Sequence, residues 1–219
     1  MKKENLYILG AGGMGREILT YYSDQGFIDS VKGFVEQHST RAGQLVRAKK
    51  ILDESELPKN KTDTKLIAGI GNPMKKRWIE ELESSGYCFD TLIHERAYVG
   101  ESVNIGEGSI ICPGAILTCD ISLGKHCIVN LKASISHDCE IGDYVTVSPG
   151  ATIGGRVVIG DETWIGMGAT VIQDVKIGKR VFIAAGAVVV DDIPDDCLVM
   201  GVPAKVVRKL TPESWKHLM

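Results

Sequence analysis

The second half of the chain repeats one aliphatic residue every six positions. From residue 99 to residue 189 each step of six lands on Val, Ile or Leu: Val99, Ile105, Ile111, Leu117, Leu123, Val129, Ile135, Ile141, Val147, Ile153, Ile159, Ile165, Val171, Ile177, Ile183 and Val189. A helix has a period of 3.6 residues and a strand a period of 2, so neither explains this spacing. The pattern over residues 99–194 predicts a solenoid whose turns stack these residues inside.

A second period of 18 residues lies on the first. Small tripeptides mark it: Pro113-Gly114-Ala115, Leu131-Lys132-Ala133, Pro149-Gly150-Ala151, Met167-Gly168-Ala169 and Ala185-Gly186-Ala187. Three hexads therefore form one coil of a triangular prism, in which each side is a short strand. We expect the glycines that follow many of the aliphatic residues to help the chain around the corners. Strands stacked about 4.8 Å apart would give a column roughly 25 Å tall.

Both ends of this column need a cover, because open strand edges invite pairing with other chains. At the C-terminal end the chain supplies Gly201-Val202-Pro203-Ala204-Lys205, and then a polar tail from Thr211 to Met219 that begins like a capped helix. At the other end a separate domain precedes Val99. We place the boundary near residue 90, with a Rossmann-like α/β domain over 1–90 and the β-helix with its cap over 91–219.

The first domain begins with a nucleotide-binding pattern. A predicted strand over residues 5–9 runs into Gly10-Ala11-Gly12-Gly13-Met14-Gly15, which matches G-x-G-x-x-G, and a helix should follow to about Gln25. Glu36 ends a second predicted strand (31–35), where dinucleotide-binding folds place an acid on a ribose. A third strand (65–70) stops at Gly71-Asn72, before another helix.

Three interpretations of this glycine turn remain open. The glycines could serve only a tight strand-to-helix turn, or they could bind NAD, although about 90 residues hold only one βαβαβ half. The third interpretation is that the turn binds the phosphates and ribose of a nucleotide-linked substrate, since backbone N–H groups at a helix start suit a pyrophosphate.

Composition argues against nucleic-acid-binding and membrane-spanning proteins. The formal net charge of −3 argues against a nucleic-acid footprint, and the 44% hydrophobic and 24% charged residues are typical of a folded globular protein. The six weakly apolar residues near the N-terminus are too few for a signal peptide or a membrane span, so we expect a cytoplasmic protein without membrane contact. We expect the six cysteines to be free thiols, with Cys127 and Cys139 at repeat positions that favour a small apolar side chain.

Several segments together resemble one family. They are the G-x-G-x-x-G turn, Leu92-Ile93-His94 before the hexads, Ser136-His137-Asp138-Cys139-Glu140-Ile141-Gly142-Asp143, and Gly201-Val202-Pro203-Ala204-Lys205. The chain resembles, over nearly its whole length, the sialic-acid O-acetyltransferase-like group, which includes bacterial nucleotide-sugar N-acetyltransferases that make bacillosamine and perosamine derivatives. The resemblance implies a mainly β protein with a left-handed parallel β-helix, a homotrimer, and an acetyl-CoA cleft between neighbouring subunits. It also implies a nucleotide diphosphate 4-amino sugar as substrate.

The resemblance assigns His137 as general base, with Asp138 beside it; the alternative is a surface histidine at a corner. Independently, the 18-residue spacing places Gly155 one coil above His137, where no side chain would obstruct approach. Acyl transfer to an amine needs a base and a donor for the developing oxyanion. By resemblance, the backbone of Gly155 is the carbonyl contact.

The resemblance also assigns the other site residues. Asn130 matches a substrate-contacting position, although a polar residue that satisfies a coil corner is the alternative. Met167 and Ala185 match positions whose main chain contacts the pantetheine arm. The matches to the nucleotide pocket are Gly12, Gly13, Met14, Glu36, Gly71 and Asn72. The chain departs from many relatives at Thr146, and from some at Met14, where they carry His, which puts the identity of the sugar in doubt.

Four functions remain at this point. N-acetylation of a nucleotide-linked amino sugar is the first, because a nucleotide-type domain has no obvious purpose for a free sugar. O-acetylation of a sugar is the second, since the same His-Asp pair would serve a hydroxyl. Metal-dependent carbonic anhydrase activity needs three convergent histidines, whereas the prism offers His126 and His137 at different hexad offsets, so we expect no metal. A non-catalytic scaffold would not explain His137 beneath Gly155.

Overall fold

The computed structural model describes residues 5–215 and residue 218, apart from the side chain of Met74, and it contains two compact units. One unit runs to Gly71 and includes Lys75–Thr91. The other contains Asn72–Met74 and the chain from Leu92 onwards. In the tail predicted over 211–219, residues 216, 217 and 219 lie outside the described residues.

The first unit is a six-stranded sheet with two helices. Its strands are β1 (Asn5–Leu9), β2 (Val31–Glu36), β3 (Leu45–Val46), β4 (Lys49–Asp53), β5 (Thr64–Ala68) and β6 (Cys88–Phe89), in the order β3-β4-β2-β1-β5-β6. Every neighbouring pair is parallel except β3 and β4. Helices α1 (Gly13–Asp24) and α2 (Lys76–Ser84) follow β1 and β5, and Glu54–Glu56 and Pro73–Lys75 form short 3-10 turns. The three predicted strands and both helices are therefore present.

The second unit is a parallel β-helix, as the hexads predict. Its strands are β7 (Leu92–Ile93), β8 (Tyr98–Val99), β9 (Val103–Ile105), β10 (Ile110–Ile111), β11 (Ile116–Leu117), β12 (Ile121–Leu123), β13 (Ile128–Val129), β14 (Ser134–Ile135), β15 (Glu140–Ile141), β16 (Thr146–Val147), β17 (Thr152–Ile153), β18 (Val158–Ile159), β19 (Trp164–Ile165), β20 (Thr170–Val171), β21 (Lys176–Ile177), β22 (Phe182–Ile183), β23 (Val188–Val189), β24 (Cys197–Gly201) and β25 (Ala204–Lys209). They form three sheets, which we call face 1 (β25-β24-β22-β19-β16-β13-β10-β7), face 2 (β23-β20-β17-β14-β11-β8) and face 3 (β21-β18-β15-β12-β9).

The register follows the 18-residue period, so Leu117 pairs with Ile135 and Ile135 with Ile153. All sixteen aliphatic hexad residues are buried except Val99 and Ile105, which are partly buried and pack against the same core. Cys127 and Cys139 are buried in that core, and all six cysteines are free thiols. The Val, Ile and Leu side chains of successive coils stack on one another and give the prism its apolar interior.

The corners turn at a different position from the one we expected. The residue three places after each aliphatic residue, from Ser102 to Gly186, has a positive φ of 53–73°, and most of these residues are not glycine. The glycines directly after the aliphatic residues serve the contact between coils instead. A Cβ at Gly154, for example, would lie 2.5 Å from the backbone nitrogen of Gln173 in the next coil. Such glycines are required because the coils are too closely stacked to admit a side chain there.

The last coil ends in a hairpin. Strands β24 and β25 pair antiparallel through Gly201–Ala204 and extend face 1. Helix α3 (Pro212–Trp215) follows, and Thr211 donates its backbone N–H to the hydroxyl of Ser214 at 3.1 Å. Trp215 packs edge-on against Phe182 in a small apolar cluster with Leu198 and Leu210. This segment therefore packs on the outer surface of face 1, against Trp164 and Phe182.

Candidate active site

The corner between face 2 and face 3 holds a histidine paired with a carboxylate. His137 and Asp138 follow β14, and Nδ1 of His137 lies 2.6 Å from Oδ2 of Asp138. Asp138 occupies the left-handed turn position of its corner, with φ of 59°, which points its side chain back towards the preceding residue. Both side chains are about half exposed. An imidazole that donates from Nδ1 leaves Nε2 free to accept a proton from a ligand.

Gly155 lies against the imidazole ring from the coil above. A Cβ at this position would be 2.7 Å from Cε1 and 2.8 Å from Nε2 of His137, so only glycine lets the ring keep its place. The backbone N–H of Arg156 donates to the carbonyl of His137 at 2.9 Å, which ties the two coils together. Within the described part of the chain, the N–H of Gly155 has no acceptor. This corner therefore presents an imidazole and a backbone donor side by side.

Two charged residues extend the same corner column, and the sequence reading did not single them out. Arg156 and Asp174 stand one and two coils above Asp138, and the guanidinium donates to both oxygens of Asp174 at 2.7 and 2.8 Å. The hydrogen bond to Asp174 raises the pKa of Arg156, and the charge of Asp138 adds to this effect. The hydrogen bond from Arg156 lowers the pKa of Asp174, and the charge of His137 contributes as well. The 18-residue period alone could have identified this column.

An exposed cysteine stands one coil below the histidine. Partial desolvation raises the pKa of the Cys119 thiol, and the carboxylates of Asp120 and Asp138 raise it further. The thiolate is the reactive form of cysteine. Cys119 is therefore held as a neutral thiol beside His137 and is poorly suited to act as a nucleophile.

Two of the three predicted cofactor contacts and one predicted substrate contact lie on a different corner. Asn130, Met167 and Ala185 all occupy the corner between face 1 and face 2. Met167 and Ala185 are exposed, and no acceptor takes their backbone N–H groups anywhere in 5–215. The side-chain oxygen of Asn130 accepts the N–H of Leu131 at 2.7 Å, as expected for a residue that satisfies its own turn. The whole of face 2 separates this corner from His137 within one chain.

The glycine turn of the first unit has one tightly packed side and one open side. A Cβ at Gly15 would overlap the carbonyl oxygen of Gly10, and one at Gly69 would lie 2.7 Å from Cα of Gly15. Gly12 and Gly13 are exposed, and a Cβ at either would meet nothing within 4 Å. Gly12 is the N-cap of α1 and has no side-chain cap. The open side therefore offers helix-start N–H groups to an anion.

Glu36 reaches this turn from the end of β2. Its carboxylate pairs with the guanidinium of Arg41 and accepts a hydrogen bond from the hydroxyl of Ser39 at 2.9 Å, and the backbone N–H of Ala11 helps to lower its pKa. Burial raises the pKa of Glu36, but the hydrogen bonds from Arg41 and Ser39 outweigh it, so the net pKa is lowered. The backbone N–H of Ser39 binds Asp53 at 2.9 Å. Glu36 thus ties Ser39 and Arg41 of the following loop to the end of β2, a role that spacing did not predict.

The remaining predicted positions are more dispersed. Met14 lies partly buried in the first turn of α1, and Gly71 ends its compact unit while Asn72 belongs to the other. Thr146 is buried in β16. His126 is buried and stacks on Tyr144 at 5.1 Å, at the corner between face 3 and face 1. Among the described residues, no group of three His, Cys, Asp or Glu could hold a metal ion.

Comparisons with known proteins agree with this geometry. The profile of the PglD N-terminal domain matches residues 5–82, and the profile of bacterial transferase hexapeptide repeats matches residues 156–191. The acetyltransferase domain of PglB from Neisseria gonorrhoeae is 32% identical, with a TM-score of 0.83, and the match covers 92% of this chain and 98% of that one. The chain belongs to this family of hexapeptide-repeat acetyltransferases. It is therefore an enzyme that transfers an acyl group.

Two further solved relatives are similar over the whole fold. A variant of perosamine N-acetyltransferase from Caulobacter crescentus, solved with CoA and GDP-perosamine, is 29% identical with a TM-score of 0.86, and the match covers 94% of this chain and 97% of that one. WeeI from Acinetobacter baumannii is 28% identical with a TM-score of 0.84, and the match covers 92% and 99%. A comparison with curated proteins gives no match. Throughout the described residues, no helix is long and apolar enough to cross a membrane.

Proposed function

We propose that this acetyltransferase moves the acetyl group of acetyl-CoA to the 4-amino group of a nucleotide diphosphate-linked deoxy sugar, with His137 as general base. One observation carries the proposal: the imidazole, held by Asp138 through Nδ1, lies directly beneath the open backbone of Gly155. A base and an oxyanion donor on adjacent coils are the two groups that acyl transfer requires.

The reaction proceeds by direct attack. The sugar amine adds to the thioester carbonyl carbon, the carbonyl electron pair moves to oxygen, and the N–H of Gly155 donates to that oxygen. Nε2 of His137 takes the proton that the nitrogen loses, while Asp138 supports the resulting imidazolium. The C–S bond then breaks, the electrons return to the carbonyl, and the CoA thiolate leaves and takes up a proton.

The relatives support the choice of substrate. Perosamine N-acetyltransferase is solved with CoA and GDP-perosamine, and the PglB acetyltransferase domain with acetyl-CoA. Variants of the former with one histidine replaced still bind both CoA and GDP-perosamine. In this chain, the open side of the turn at Gly12 and Gly13 has the backbone donors that suit a pyrophosphate. The N-terminal unit would therefore hold the nucleotide.

A second subunit is needed to complete the acetyl-CoA site. His137 lies on the corner between faces 2 and 3, whereas Met167 and Ala185 lie on the corner between faces 1 and 2. We propose a homotrimer in which the first corner of one chain meets the second corner of its neighbour. We further propose that the enzyme acts in the cytoplasm, where its acetyl-CoA is available, and that it needs no metal.

The decisive test is a substrate panel. The protein is incubated with acetyl-CoA and UDP-, GDP- or dTDP-linked 4-amino sugars, and each is matched by the same nucleotide sugar with a 4-hydroxyl group. Thiol release and product mass are measured, with H137A as the control for background hydrolysis. Acetylation of an amino sugar alone supports the proposal. Acetylation of the hydroxyl sugars alone would replace it with O-acetyl transfer, and no transfer to any member would contradict it.

A further inference from the structure

The histidine corner contains more charge than one acid–base pair requires. Asp138 contacts the ring, Asp120 and the neutral thiol of Cys119 lie in the coil below, and Arg156 and Asp174 occupy the coils above. Asp138, Arg156 and Asp174 share the left-handed turn position, with φ of 59°, 57° and 65°. Because identical backbone conformations repeat every 18 residues, their side chains form one column beside His137.

Within this column Arg156 has a fixed geometry. It forms two hydrogen bonds to Asp174, and its own backbone N–H binds the carbonyl of His137. The pair is 51% and 59% exposed, and exposed pairs of this kind contribute little to stability. Asp174 nevertheless interacts electrostatically with His137, and Arg156 with Asp138. The pair is therefore placed to act on the charge of the base.

We infer that Arg156 is a positioning residue for the His137–Asp138 pair, because its guanidinium neutralises Asp174, a second carboxylate that would otherwise favour the protonated imidazole. The inference rests on the proposed function, in which His137 must be neutral to accept a proton. One carboxylate, Asp138, orients the ring and supports the imidazolium as it forms. A second uncompensated carboxylate would stabilise the imidazolium before the reaction and reduce the fraction of active enzyme at a given pH.

The test follows the titration of His137 in four variants. The ring protons are assigned by comparison with H137A, and their NMR midpoint is measured together with the pH profile of kcat/KM. R156Q should raise the midpoint by about half a pH unit, the size that Coulomb's law gives for one uncompensated charge several ångströms away in water. D174N should lower it by a similar amount, because Arg156 is then uncompensated. The double variant R156Q/D174N should return it to the parental value.

The matched control is R180Q. Arg180 makes the same two-bonded contact, with Asp196 at 2.6 and 3.0 Å, on the corner between face 3 and face 1. Its loss should leave the His137 titration unchanged. At about 1 M salt the shift in R156Q should shrink, since the screening length falls to about 3 Å.

The inference and the proposed function fail in different ways. An unchanged midpoint in R156Q, an equal shift in R180Q, or a double variant that does not return to the parental value would overturn the role of Arg156. If H137A retains full activity, the base assignment is wrong, whereas the NMR titration still decides whether Arg156 sets the charge around the ring.

Discussion

Gly155 lies so close to the imidazole of His137 that a single added Cβ would come within 2.7 Å of the ring. The two residues are 18 positions apart, which is one coil, so they lie in adjacent coils at the same corner. The ring is also hydrogen-bonded to Asp138, so its position is fixed from two sides. The position of the imidazole at this corner therefore depends on a residue without a side chain.

The first prediction is that G155A lowers turnover more than stability. The neighbour that must give way is the half-exposed His137 ring, which can rotate into solvent and lose its contact with Asp138. We expect kcat to fall about a hundredfold, the lower end of the range that a positioned base contributes, while the unfolding free energy changes by less than about 1 kcal/mol. Steady-state kinetics and urea unfolding measure the two effects.

The double variant H137A/G155A is the control for this prediction. Once the ring is absent, the added methyl group has nothing to displace, so the double variant should be no slower than H137A. A further large loss in the double variant would show that the added methyl group also obstructs the substrate or shifts the backbone at residue 155, so that the effect of G155A is not exerted through the ring alone.

The second prediction is that H137A removes chemistry and preserves binding. Positioned bases contribute about 10²–10⁴ in rate, so kcat should fall by that range while the affinity for CoA stays near the parental value. The parental rate should also fall as the pH drops through the imidazole titration, because a protonated ring cannot accept a proton. Since the amine titrates too, H137A is compared at each pH. Retention of more than half the parental turnover would contradict the base assignment.

The third prediction separates the two sides of the glycine turn. G13V places a branched side chain on the open side, where a Cβ meets nothing, so the protein should fold normally and lose affinity for the nucleotide sugar. G15A places a methyl group against the carbonyl of Gly10 and should destabilise the fold by about 1–3 kcal/mol. Calorimetry with the nucleoside diphosphate and thermal unfolding distinguish the outcomes. If G13V weakened CoA binding instead, the two ligands would be assigned to the wrong units.

The fourth prediction concerns acid stability at Glu36. Because its pKa is lowered in the folded protein, Glu36 contributes stability that is present above the ordinary glutamate value and is lost as the pH falls through the folded value. E36Q should therefore be less stable than the parent near neutral pH, by under about 1 kcal/mol for a partly exposed pair. The difference should vanish in acid below the folded value. A constant difference at all pH values would show that the amide disturbs packing and not charge.

The fifth prediction tests the shared site by complementation. H137A alters one corner, and A185W would block the backbone that presents Ala185 at the other, so each variant alone should be nearly inactive. If the site forms between subunits, trimers assembled from an equal mixture should recover about a quarter of the parental activity, because both intact corners meet at one interface in four. Light scattering checks assembly. No recovery from a mixture that does assemble would place the site within one chain.

The sequence by itself determined the repetitive half of the fold. A residue buried in one coil has its neighbours fixed 18 positions away, so periodicity alone placed Ile135 on Ile153 and His137 beneath Gly155. The strand and helix around the glycine turn were predictable for a similar reason. Gly15 packs directly on the carbonyl of Gly10, and the spacing of the glycines indicates this close contact between backbones. In both cases the deciding interaction is local or strictly periodic.

The tertiary structure decided two features: the residue at which each corner turns, and the hydrogen bonds that side chains make there. The spacing of glycines could not show that the turns are made three residues after each aliphatic position, because residues as different as Asp138 and Arg156 adopt the left-handed conformation there. It also could not show that Glu36 is bound by Arg41 and Ser39, or that Arg156 is held by Asp174. These contacts depend on where flexible side chains point once the coils are stacked, and a linear pattern carries no information about that direction.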